Sequence, residues 1–132
     1  MLISSVYASL LALLIVWLSL QVIKLRQSKQ ILLGDGGEVE LQRAIRAQAN
    51  ATEYIPITLI LLVSLELNQA ALFLIHGGGI AILVSRLIHA RSLPTSRVRD
   101  RVLGMQITIW TIILLACLNL GYLIYHAFRP LG

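Results

Sequence analysis

The chain has 132 residues, of which 58% are hydrophobic and 13% charged, with a mean hydropathy of +0.83. These values exclude a water-soluble globular domain, and the apolar residues run the whole length, which also excludes one anchor on a soluble domain. The formal charge of +5 and the single cysteine acquire meaning only from where they fall.

The first predicted helix covers residues 2–25. Its uncharged run, Met1 to Ile23, meets the roughly 20 residues needed to cross a bilayer. It lacks a small-residue cleavage site and a basic lead, so it reads as a retained helix. It ends in "SLQVIKLRQSKQ", where basic residues suit a helix C-terminus at a headgroup boundary. The loop "LLGDGGEVE" follows: Gly34, Asp35, Gly36 and Gly37 supply turn geometry, and Glu38 and Glu40 suit the first turn of the next helix.

The second helix is expected over 40–66. Its uncharged run, Tyr54 to Leu65, is only 12 residues, too short to cross alone. It spans only by drawing the polar stretch "RAIRAQANATEYIP" partway into the membrane. Pro56 inside it removes one backbone hydrogen bond. "ELNQA" makes a tight outer turn, and the third helix covers 69–91, with Gly77, Gly78 and Gly79 suited to close helix approach. "SLPTS" is the next loop. The fourth helix runs over 97–128, with Pro130 just past its end and Cys117 read as a small core residue. The fold class is therefore all-α, an integral-membrane four-helix bundle forming one domain.

Ten of the eleven basic residues fall in two clusters, Lys24 to Arg46 and Arg86 to Arg101, which four alternating helices bring to one side. Arg129 alone lies opposite. The positive-inside rule makes the loops 24–40 and 92–100 cytoplasmic and puts both termini outside. Topology thus accounts for the basic charge, and no nucleic-acid partner is implied.

On a helix, Arg46, Asn50 and Glu53 fall at i, i+4 and i+7 and share one face, which Arg43 extends by a turn. Gln48 and Tyr54 lie on flanking faces, open to another helix or subunit. A charge at membrane depth costs at least ~2.5–3.5 kcal/mol and turns to a bundle interior. An Arg46–Glu53 network that only fixes packing is one reading. The other gains from Arg86, His89, Arg97 and Arg101, which border the same side together with Arg26. Such a pocket suits a small polyanion with an amino group: carboxylates for the arginines, the amine for Glu53. An apolar co-substrate would enter from the lipid. No metal-ligand spacing and no Ser/His/Asp set is evident.

"RAQANATEYIP" with "SLQVIKLR" upstream resembles the MAPEG family, the membrane-associated proteins of eicosanoid and glutathione metabolism. The likeness covers essentially the whole chain and has the look of a bacterial member. It implies a homotrimer of four-helix bundles that binds glutathione as co-substrate at the cytoplasmic side between subunits. The glutathione set it implies is Arg46, Asn50, Glu53 and Tyr54 from one subunit, with Arg26 and Gln48 from its neighbour; Arg86 and His89 join it. Arg101 matches the arginine that holds the glutathione thiolate, with Arg97 and Arg99 as the other candidates. The thiolate would attack a lipophilic electrophile or a lipid hydroperoxide, a transferase or peroxidase of detoxification type. His89 and Leu93 stand where eicosanoid-forming members carry tyrosines, and Gln27 replaces an arginine, which points away from leukotriene or prostaglandin synthesis. Two rival readings are a small four-helix transporter using Glu53 and a non-catalytic scaffold of the same fold.

Overall fold

A computed structural model describes residues 2–95 and 98–128, with the side chains of 92–95 outside the description. Arg97, Arg129 and Pro130, and the side chain of Leu93, therefore lie outside the described residues. Four helices are present: α1 (Ser4–Lys29), α2 (Val39–Leu67), α3 (Leu72–Thr95) and α4 (Val98–Phe128). Each is long and apolar enough to cross a membrane. Helices are what such sequences must form there, because lipid offers no partner for an open backbone N–H or C=O.

α1 continues past residue 25 to Lys29 and stops at Gln30, whose φ of 55° turns its N–H back onto the carbonyls of Arg26 and Gln27. The loop expected to turn on glycine does so, with Gly34, Gly36 and Gly37 all at positive φ. The Gly37 N–H donates to Asp35 Oδ1 (3.0 Å), and Lys29 Nζ pairs with Glu38 (3.1 Å). α2 runs through Pro56 without a break.

Contacts between helix ends fix an up-and-down order. The end of α2 meets the start of α1 through Glu66, and the start of α2 meets the end of α3 through Asn50 and Arg86. α2 and α3 form the middle of the bundle. α1 packs on one side of them and α4 on the other. Leu11, Leu14, Leu18, Ala47, Ala51, Ile55, Ile82 and Ala90 fill the half nearer the two basic clusters. Tyr7, Leu62, Leu65, Ile75 and Leu115 fill the other half.

Of the three central glycines, two serve close approach. A Cβ on Gly79 would stand 2.4 Å from the Tyr7 ring, and one on Gly78 3.0 Å from Leu62 and Leu115. Gly77 faces open space. His76 Nδ1 lies 2.8 Å from the Tyr7 hydroxyl, which gives that ring a structural partner. Cys117 is exposed on α4, not in the core as expected. An apolar residue in a membrane helix suits lipid as well as protein, so its polarity alone carries no inward signal.

Glu66 closes the start of α1. The N–H groups of Ile3 and Ser4 donate to its Oε1 (2.5 Å) and Oε2 (2.8 Å), so a carboxylate sits at the positive end of the helix. Glu66→Leu keeps the volume but leaves both donors open. It should cost about 1–2 kcal/mol in thermal unfolding, and an unchanged midpoint would remove this cap from the account of stability.

Candidate functional site

α2 and α4 begin, and α1 and α3 end, at one end of the bundle, so both basic clusters meet there. A cavity of about 150 Å³ opens at this end, lined by Arg43, Arg46, Ala47, Asn50, His89 and Arg101. Three helices contribute: α2 its polar stripe, α3 His89, α4 Arg101. None of the described lining residues is acidic. Arg101 Nη2 is buried and has no hydrogen-bond partner among the described residues. A cavity walled by guanidinium groups, one of them with an open donor, is built for an anion.

The expected residues divide among four situations. Arg46, Asn50, His89 and Arg101 line the cavity together. Glu53 does not; it is exposed on the outer flank of α2, and Arg46 is also exposed on that flank. At about 100° per residue, positions 46 and 53 rotate together toward the outside while position 50 turns inward.

Arg86 is interior, only 2% exposed, and does not line the cavity. Its Nη1 donates to Asn50 Oδ1 (2.6 Å), and its Nη2 donates to Thr108 Oγ1 and to the Gly104 carbonyl (3.4 Å). The Tyr54 ring lies 6.0 Å from the guanidinium. Of the two neighbours open to Tyr54 on its flanking face, another helix or another subunit, the structure brings it to Arg86 of α3 in its own protomer.

Arg26 and Gln48 are apart from the cavity. Arg26 Nη1 donates to the carbonyls of Ile31 (3.4 Å) and Leu32 (3.3 Å), long bonds to its own loop. Gln48 is half-buried on α2. Of the other arginines considered for thiol activation, Arg99 is exposed on the first turn of α4.

Sequence reasoning did not single out Ser85, Gly104 or Thr108. Ser85 Oγ lies 3.0 Å from Thr108 Oγ1, and Thr108 donates to the Gly104 carbonyl (2.9 Å). The signal was there: Gly104, Thr108, Thr111 and Leu115 recur at helical spacing and form the buried face of α4. Small and hydroxyl residues in such a stripe mark a helix–helix contact in a membrane. A Cβ on Gly104 would stand 2.8 Å from the Ser85 carbonyl and 3.1 Å from His89 Cβ, so α3 and α4 touch backbone to backbone beside the cavity. Among the described residues no three His, Cys, Asp or Glu side chains gather as a metal site.

The chain is 40% identical over 121 residues to "Inner membrane protein YecN" of Escherichia coli strain K12, covering 92% of each chain. The same figures hold for the protein of that name in Escherichia coli O6:H1. The MAPEG family matches residues 4–121, which includes α1 and α2, the described part of α3, most of α4 and every described residue lining the cavity. Four membrane-length helices, the polar motif of α2 and this match over nearly the whole sequence agree: the chain is an integral membrane protein of the MAPEG family.

Proposed function

We propose that the protein is a membrane glutathione transferase or peroxidase that binds the tripeptide at the basic end of the bundle and activates its thiol. The observation that carries this reading is the convergence of Arg43, Arg46, Asn50, His89 and Arg101 on one cavity with no acidic lining residue and an open donor on Arg101. A volume of about 150 Å³ holds a few waters at roughly 30 Å³ each. It admits one anionic end of a tripeptide, and the remainder lies along the flank that carries Glu53.

That flank also supports a homotrimer. Glu53 and Arg46 are exposed on the protomer, and a charge facing lipid costs at least ~2.5–3.5 kcal/mol. A second copy covers the face, brings Arg26 and Gln48 toward the tripeptide, and encloses the amine against Glu53. Among the described residues Arg26 is held by two long bonds to loop carbonyls, so the exchange for a carboxylate is favourable. The lipophilic second substrate arrives through the membrane. By similarity to the Escherichia coli protein the location is the inner membrane, and the basic residues put both termini outside and the connections between α1 and α2 and between α3 and α4 on the cytoplasmic side.

The chemistry is simple in balance. The thiol proton leaves to water and the sulfur is held as thiolate beside Arg101. It then either bonds to an electrophilic carbon as the leaving group departs with its electron pair, or breaks a peroxide O–O bond to give an alcohol and a sulfenic acid, which a second glutathione thiol converts to disulfide and water. The test is the ultraviolet thiolate absorbance of glutathione mixed with detergent-purified protein at neutral pH. A saturable band supports the reading. No band together with no binding overturns it and favours a scaffold.

Glu53→Gln removes the charged partner of the amine while leaving the protomer fold intact, since the side chain is exposed there. Glutathione binding should weaken about tenfold or more, the loss of a charge-assisted hydrogen bond of ~1.5–3 kcal/mol. Titration calorimetry giving the parent dissociation constant would exclude Glu53 from the site.

A further inference from the structure

We propose that Arg86 is a positioning residue: held by Thr108 and the Gly104 carbonyl on α4, it fixes which way the Asn50 amide faces in the site. The inference rests on the glutathione reading for its ligand and adds a residue that does not touch it.

The geometry begins with what a guanidinium can do. It has donors only. The Asn50 atom 2.6 Å from Arg86 Nη1 must therefore be the amide oxygen. The NH₂ group then points the opposite way, where Met105 Sδ at 3.9 Å is a weak acceptor and the cavity begins. In that orientation Asn50 adds a donor to a wall of arginine donors. Reversed, it would present an oxygen to the anion and repel it.

Arg86 keeps this orientation because it is itself anchored twice. Nη1 reaches α2, and Nη2 reaches Thr108 and the Gly104 carbonyl on α4, so one planar fork spans two helices. The Tyr54 ring at 6.0 Å adds a favourable face for the cation. With 2% of its surface exposed and no share in the cavity wall, Arg86 acts through Asn50 and not on the ligand. The site so arranged selects groups that only accept, a carboxylate or a thiolate.

Two variants and one control test this. Arg86→Lys keeps the charge but replaces the fork by a single ammonium that cannot bridge α2 and α4. Thr108→Val is nearly isosteric and removes the nearer of the two α4 acceptors, leaving only the long contact to the Gly104 carbonyl, while Thr108→Ser retains it. Titration calorimetry with glutathione, thermal unfolding and the pH titration of the bound thiol are measured on each purified protein. Arg86→Lys and Thr108→Val should each raise the dissociation constant about tenfold, with the bound thiol titrating at the parent pH, because Arg101 is untouched. Thr108→Ser should stay within about twofold of the parent. A folded Arg86→Lys or Thr108→Val protein that binds as tightly as the parent overturns the positioning role. So does a loss of binding that Thr108→Ser shares and that follows the unfolding midpoint, since the residues would then be structural only. If Arg86→Lys does not fold, Thr108→Val decides. A parent protein that fails to bind glutathione overturns the functional reading itself, an outcome visible before any variant is made.

Discussion

Arg101→Ala should bind glutathione and fail to ionise it. The Arg101 guanidinium stands in the cavity wall with one buried donor unused among the described residues, the donor that the proposed function gives to the thiolate. Remove that fixed cation and the bound thiol returns toward its free pKa of about 8.5. At pH 7 only a few per cent is then thiolate. The absorbance band should fall by about tenfold or more at saturating glutathione and reappear as pH is raised past 8. Conjugation rates at neutral pH should fall at least in proportion, while the dissociation constant changes less, because Arg43, Arg46 and Asn50 remain. Arg99→Ala serves as the control, since Arg99 is exposed and outside the cavity wall. An Arg101→Ala protein with the parent thiolate band, or an Arg99→Ala protein without one, would reassign the activating charge.

Gly104→Val should be the most damaging single substitution in the bundle. Its first carbon alone would lie 2.8 Å from the Ser85 carbonyl, a backbone atom that cannot rotate away, and 3.1 Å from His89 Cβ. α3 and α4 would have to separate at the point where Arg86 reaches the Gly104 carbonyl and Thr108. Overpacking of this kind costs about 1–3 kcal/mol, and the severed hydrogen bonds to a charged group add about 1.5–3 kcal/mol each. Thermal unfolding should drop sharply and glutathione binding should vanish with it. Gly121→Val on the same helix meets open space and should behave as the parent. If the two variants unfold alike, the α3–α4 contact is not the tight one described.

The site was partly legible because helical spacing is a strong constraint on what can meet. Arg46 and Asn50 are four apart on α2, His89 follows near the end of α3, and Arg101 opens α4. Alternating helices leave these positions no choice but one end of the bundle. Spacing kept Glu53, at i+7, beside Arg46 and left Tyr54 on a flanking face, but it did not say that the first pair lies on the outer flank or that Tyr54 meets Arg86. Arg86 itself read as a ligand contact because arginine inside a membrane usually marks a pathway or a site. Its hydrogen bonds to Asn50, Thr108 and Gly104 come from residues 36, 22 and 18 positions away, and nothing local announces them.

The sequence by itself determined that the chain spans a membrane four times, with its basic residues gathered at one end. Hydropathy over some 20 residues and the need to satisfy every backbone group in lipid leave no other structure. It also determined where the loop glycines turn, since positive φ is steric and local. Tertiary structure alone decided which side of each helix faces its neighbours. In water, polarity separates inside from outside; in lipid both are apolar, and packing of small and hydroxyl residues makes the choice. Hence Cys117 faces outward, Arg86 lies inside, and the basic cavity forms where arginines of α2 and α4 meet His89 of α3 around Asn50.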